Sequence, residues 1–225
     1  FSVEDIPAER QVVFEEYRRA MDNPNQFNFM QLQKSSFTGG YKHPILGREQ
    51  TILNFSQEQI KSFRQNFYNL ENSLLVVAGD LKNRKKIESK ISAFQLPSGK
   101  KSTFGPFKLS KKATLNIHEK DIRQASLTMC FEAPRYEGLE APAEDLAINC
   151  LAHGETSRLY QNLVASTSLC NGIAGSTMYF SNGGVHMIKM NFPLEHLDQI
   201  QDHFISILST TLDKGFISTE LEKIK

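Results

Sequence analysis

Apolar positions recur along this chain with two periods, three to four residues in most segments and two in a few, so both helices and strands are expected. Residues 7–19 read as a helix. Ser2-Val-Glu-Asp5 resembles a capping box, Pro7 suits a first turn, and Arg18 and Arg19 complement the C-terminal dipole. The helix should end near Asp22-Asn-Pro24, because proline disfavours helical backbone at the residue before it. Residues 25–37 carry apolar side chains at 27, 29, 30, 32 and 37, a loose helical pattern ending at Thr38-Gly-Gly40. After the turn His43-Pro-Ile-Leu-Gly47 and a short helical piece, Ser56 and Gln59 form a capping box for a helix through Tyr68. Ile60, Phe63 and Phe67 are expected as its buried stripe. Residues 73–79, Ser-Leu-Leu-Val-Val-Ala-Gly, form a continuous apolar run expected as a buried strand, and residues 84–94 as a further helix.

The pattern breaks across residues 95–112, where Pro97, Ser98, Gly99, Gly105 and Pro106 make a linker. Beyond it, residues 114–119 and 125–133 read as strands, and 142–153 and 157–166 as helices. Residues 171–180 and 185–192 read as strands joined by Ser181-Asn-Gly-Gly184, a strong hairpin signal. A helix over 193–213 and the start of another finish the chain. Strands mixed with helix pairs, without a regular βαβ rhythm, predict an α+β fold with largely antiparallel sheets and packed helices.

Composition adds little to this picture. At 225 residues, 40% hydrophobic and 23% charged, the chain suits one large domain or two smaller ones. A net charge of +1 gives no global field for nucleic acid or an anionic membrane. Residues 82–112 hold ten Lys/Arg against one acid, Glu88, and read as a solvated helix face and linker. Cys130, Cys150 and Cys170 lack CxxC spacing, so neither a disulfide framework nor a structural zinc site is indicated, and a reducing compartment is permitted. No apolar run approaches the roughly 18 residues that a membrane helix needs. The abrupt start and the helical pattern running out at Lys225 read as a fragment of a longer protein. Its compartment is left open, periplasm or cytoplasm for a bacterial source.

Candidate chemistry centres on Glu9 and Glu16, seven residues and about two helical turns apart, so both carboxylates point the same way. They fit a metal ligand and its supporting group, or simply a solvated helix face with flanking arginines. No Walker loop, dinucleotide fingerprint or Gly-x-Ser-x-Gly elbow is present. The histidines at 43, 118, 153, 186, 196 and 203 include no pair four apart on a helix. His196 and His203 read as a polar face, and Cys150 with His153 lacks the context that activates a nucleophile.

Five elements then occur in order: Ala8-Glu-Arg-Gln-Val-Val-Phe-Glu-Glu16, His43-Pro-Ile-Leu-Gly47, the Ser56-x-x-Gln59 helix with Asn66-Phe-Tyr68, Asn72-Ser-Leu-Leu-Val-Val-Ala-Gly-Asp80, and Gly154-Glu-Thr-Ser-Arg-Leu-Tyr160. Together they resemble the pitrilysin/insulinase family of zinc metallopeptidases, the inverzincins, including bacterial processing-protease-like members. That resemblance implies zinc held by two histidines of a His-x-x-Glu-His helix, whose Glu activates water, and by a Glu on a later helix. It places the later ligand at Glu16 and a supporting acid at Glu9. His-x-x-Glu-His itself occurs nowhere between Phe1 and Lys225. An Arg and a Tyr that family members carry in the partner half or subunit to hold substrate match Val164 and Asn171 here, which can supply neither role; with both acids present, the resemblance implies the zinc-bearing half of a two-part enzyme.

The resemblance implies two partial, similar domains: residues 1–95 as the latter part of the first, 96–112 as linker, and 113–225 as the first part of the second. The function it implies is that of a fragment of a zinc endopeptidase acting on peptides, inactive alone, with zinc in the parent protein and none bound by the fragment. Its partners would be peptide substrates and a second peptidase-like half or subunit, and open sheet edges would make it self-associate. The competing readings are a non-catalytic scaffold subunit of such a peptidase and an unrelated α+β interaction module.

Overall fold

The computed structural model describes residues 4–103, 105–112 and 115–224. The capping box expected at Ser2 lies partly outside them. The chain divides into two compact units, one of residues 1–19 and 46–104, the other of residues 20–45 and 105–225.

Helix α1 (Asp5–Asp22) runs between the Asp5 and Asn23-Pro24 signals. In the first unit it buries Ile6 and Phe14, 8% and 9% exposed, and Arg10 donates from Nη2 to the Phe55 carbonyl at 2.7 Å. Helix α3 (Glu49–Asn54) buries Ile52. Helix α4 (Gln57–Phe67) has its full capping box: Gln59 N–H donates to Ser56 Oγ at 3.3 Å and Ser56 N–H to Gln59 Oε1 at 2.8 Å. Asn69, fully buried, ties the next turn down; its Nδ2 donates to the Asn66 carbonyl at 3.0 Å and its Oδ1 accepts from Asn72 N–H at 3.2 Å. Gly99 lies against it, where an added Cβ would fall 2.3 Å from Asn69 Cγ. Helix α5 (Arg84–Ser92) follows.

Two expectations fail in this unit. Phe63 and Phe67 are 57% and 41% exposed, their rings tilted against one another with centroids 4.6 Å apart rather than buried. Residues 73–79 form no strand, and Leu74 and Val76 stay 89% and 75% exposed. A continuous apolar run becomes a buried strand only when neighbours occupy its edges and faces, and the described residues of this unit contain no strand to pair with it.

The second unit is built on a three-stranded antiparallel sheet. Strand β1 (Ala125–Ala133) pairs with β3 (Gly183–Phe192), which pairs with β2 (Gly172–Phe180). The β2–β3 hairpin turns through Ser181 and Asn182, with Phe180 opposite Gly183. Central β3 puts Ile188, Met190 and Phe192 on one face, against Ile148 and Ala152 of α6 (Ala141–Ala152) and Ile200 and Phe204 of α8 (Leu197–Lys214). Leu159 of α7 (Arg158–Tyr160) and Leu163 of the following turn, Gln161–Ser166, complete this core at zero exposure. Each such side chain contributes about 1.5–3 kcal/mol. Gly175 lets α6 lie close on β2, since a Cβ there would stand 2.6 Å from that of Ala152. The opposite face carries Val185 with Phe37, Phe107 and Phe180, the last two stacked at 4.5 Å, beside α2 (Pro24–Ser36). Short helix α9 (Ser218–Glu222) ends the described chain.

The fold is α+β, as the pattern predicts. The strand expected at residues 114–119 is not formed: Leu115 and Ile117 are 77% and 78% exposed, and Thr114 lies outside the described residues. Two apolar positions alternating with polar ones do not hold a strand without a neighbouring ladder.

Candidate metal ligands and polar clusters

On α1 the 3.6-residue period sets a buried stripe of Ile6 and Phe14, with half-buried Arg10, Val13 and Tyr17, to one side. Glu9, Val12 and Glu16 fall on another flank, all three exposed. Arg10 anchors the helix beneath them, its guanidinium also lying over the Phe55 ring at 5.3 Å. Glu15, the neighbouring acid, accepts from Gln11 Nε2 at 2.9 Å and pairs with Arg18 at 3.6 Å. Glu9 and Glu16 therefore share a face, as their spacing predicts. Seven residues of helix rise about 10.5 Å, too far for both carboxylates to grip one ion directly. The geometry suits one ligand with an outer acid that orients it or a neighbouring ligand.

Among the described residues no group of three or more His, Cys, Asp or Glu could hold a metal ion. A catalytic zinc takes three protein ligands and a water, so these residues fit a single-ligand contribution and no more. Two of the histidines are engaged elsewhere. His153 Nδ1–H donates to the Gly175 carbonyl at 3.1 Å and His196 Nδ1–H to the Leu169 carbonyl at 3.0 Å. His196 sits in the turn Leu194–His196 ahead of α8, which carries His203. Buried Cys150 has its thiol pushed up, chiefly by burial, and Cys170 rises for the same reason to about 11. Thiols held protonated do not serve as nucleophiles, so Cys150 and His153 form no reactive pair.

Two polar clusters were not visible in the sequence. His186 on β3 donates from Nε2 to Glu144 Oε2 of α6 at 2.8 Å, and its Nδ1 accepts from Thr177 of β2 at 2.9 Å. Thr177 and His186 are cross-strand partners, so the strand register brings them together. Beside them, burial and Asp145 push the Tyr179 hydroxyl up to about 12. The second cluster centres on Arg158. Its Nε and Nη2 donate to the two oxygens of Glu220 at 2.6 and 2.7 Å, Nη1 to Thr211 Oγ1 at 3.0 Å, and Nη2 to the Gly215 carbonyl at 2.7 Å. The Phe216 ring lies 4.6 Å from the guanidinium. The fork holds the Glu220 carboxyl below its ordinary range, Arg158 being the first cause. This is a structural clamp, securing α9 and the Gly215 turn to α7. Val164 is half-buried against the main core and Asn171 donates its N–H to the Asn191 carbonyl at 2.8 Å.

Comparison with known proteins extends this geometry. A family model described as the peptidase M16 inactive domain matches residues 54–225. An uncharacterized zinc protease of Rickettsia felis is 31% identical over 193 residues, covering 84% of this chain and 46% of that protein. The uncharacterized zinc protease YmxG of Bacillus subtilis is 26% identical over 239 residues, covering 100% of this chain and 55% of its own length. The chain thus spans about half the length of these curated relatives. A crystal structure described as a peptidase M16 inactive domain from Pseudomonas fluorescens superposes with a TM-score of 0.82 at 20% identity, covering 100% of this chain and 55% of that one, and shares its fold. With five motifs in register and a family match over most of its length, the chain belongs to the M16 peptidases, the pitrilysin/insulinase-type zinc metallopeptidase family.

Proposed function

We propose that this chain is part of a zinc-dependent endopeptidase, to which it contributes Glu16 as one zinc ligand and Glu9 as the acid supporting the site. The observation that carries this reading is the exposed Glu9/Glu16 flank of α1, in a chain of this family whose described residues offer no ligand set of their own. In the parent protein the remaining ligands come from a His-x-x-Glu-His segment. When bound, zinc supplies a water acidic enough to attack a peptide carbonyl near neutral pH. The role of this chain is narrower: α1, fixed through Arg10 and Phe55, would hold one carboxylate as a ligand to the ion.

In this reading residues 1–95 are the latter part of one peptidase-like domain, 96–112 a linker, and 113–225 the first part of a second, similar domain. Peptides are the substrates, a second peptidase-like half or subunit is the partner, and the chain by itself associates with further copies. Alone it is inactive. The purified 225-residue chain is therefore expected to show no peptidase activity that a chelator removes, and such activity would overturn the assignment.

A second reading, a non-catalytic scaffold subunit, is favoured by one observation: the matching family model is described as an inactive domain. Val164 and Asn171 count against it, because they stand where the partner half of such a peptidase would carry the substrate-holding Arg and Tyr. A His-x-x-Glu-His sequence in the segment preceding Phe1 in the full-length protein would support the zinc reading, and its absence the scaffold.

A further inference from the structure

The surface of α1 between Glu9 and Glu16 is apolar. Val12 and Val13 each stand three or four residues from both acids, the spacing at which helix side chains are neighbours, with Cβ atoms about 5–6 Å apart. Round the axis the two acids fall within about 20° of one another, and the valines about 50° to either side of the line that joins them. Together they floor the gap between the carboxylates. Val13 is half-buried on the side of Ile6, Phe14 and Tyr17, while Val12 is 60% exposed. Exposed and β-branched, Val12 gives α1 nothing of its own, because it is a weaker helix former than Ala, Leu or Glu.

The charges along the helix are divided in the same way. Glu15 is held by Gln11 and Arg18, and Arg10 by the Phe55 carbonyl and ring. Glu9 and Glu16 make no hydrogen bond or ion pair among the described residues. The two acids are about 10.5 Å apart along the axis, so a group that engages both must lie over the valines between them. An imidazole of the His-x-x-Glu-His segment fits that place: its ring is apolar across its faces, and its N–H suits a carboxylate.

We propose that Val12 is a positioning residue of the zinc site: with Val13 it forms the apolar floor on which the ligand oriented by Glu9 rests, keeping water out of the space between Glu9 and Glu16. This rests on Glu16 and Glu9 acting as ligand and supporting acid. An apolar shell around a metal controls solvent access and lowers the local dielectric, which strengthens the polar contacts inside it. Val12 touches neither the ion nor the substrate in this role.

The zinc dissociation constant of the full-length protein tests it, measured by competition with a chelator, alongside the melting temperature of the metal-free form. Val12→Ser should raise that constant about tenfold. Val12→Ile keeps the floor apolar and should bind zinc as the wild type does. A Val12→Ser protein that melts lower without metal, yet binds zinc at wild-type affinity, would mark an ordinary packing residue and overturn the proposal. Equal losses in Val12→Ser and Val12→Ile would overturn it too, because apolar cover would then not be what matters. Glu16→Gln in the same assay separates this from the ligand assignment. If Glu16→Gln binds zinc at wild-type affinity, both fall; if it loses zinc while Val12→Ser binds normally, the floor alone falls.

Discussion

Residues 125–133 and residues 73–79 carry the same kind of apolar, strand-forming run, yet the first is β1 in a closed core and the second lies in water. Local propensity does not distinguish them. Strand β1 pairs with β3, which is tied to β2 by a two-residue turn, and both faces of that sheet are covered by apolar side chains. The first unit has helices but no strand among its described residues, so the run and the aromatic face of α4 remain open. A strand is thus a property of pairing, which the sequence of the run does not contain.

The largest effects should separate the two regions. Leu163→Ala, in the fully buried core, is expected to cost about 2–5 kcal/mol in urea unfolding. Val76→Ala, measured at a concentration where the chain is monomeric, should change stability by less than about 0.5 kcal/mol. Equal costs would mean that the apolar run is buried in solution even in the monomer.

A second effect sharpens the contrast by removing a polar tie from the ordered unit. The Arg158 and Glu220 side chains are only 18% and 22% exposed, and Arg158→Ala is expected to cost about 2–3 kcal/mol, leaving Glu220 without its fork. Because the folded carboxyl sits below its ordinary value, its stabilisation is complete above the ordinary carboxylate range and is lost as pH falls through the lower folded value. The stability difference between wild type and Glu220→Gln should therefore shrink on acidification, and an invariant difference from pH 7 to pH 3 would contradict the clamp. The smallest effect belongs to the first unit: Ser56→Ala removes the α4 cap and should cost about 1 kcal/mol, read in the same unfolding experiment.

What was legible in the sequence was whatever local chemistry decides. The Ser56/Gln59 box, the Asn23-Pro24 stop of α1 and the Ser181-Asn182 turn all follow from neighbours within a few residues. The shared face of Glu9 and Glu16 was legible for the same reason, since helical period alone sets it. Phe63, Phe67 and Leu115 were misjudged because their burial depends on a distant neighbour. The Arg158–Glu220 clamp joins residues 62 apart, and the Glu144–His186 bond spans 42, with no local pattern to mark either pairing. Sixteen phenylalanines in the chain did not help, because composition says nothing about which rings find a layer to pack on.

The account turns on Glu16, and zinc content tests it most directly. In the full-length protein, purified and analysed for bound metal by mass spectrometry, Glu16→Gln should lose its zinc, while Glu9→Gln should retain it with affinity weakened about 10–100-fold. Full zinc occupancy in Glu16→Gln, at wild-type affinity, would contradict the assignment.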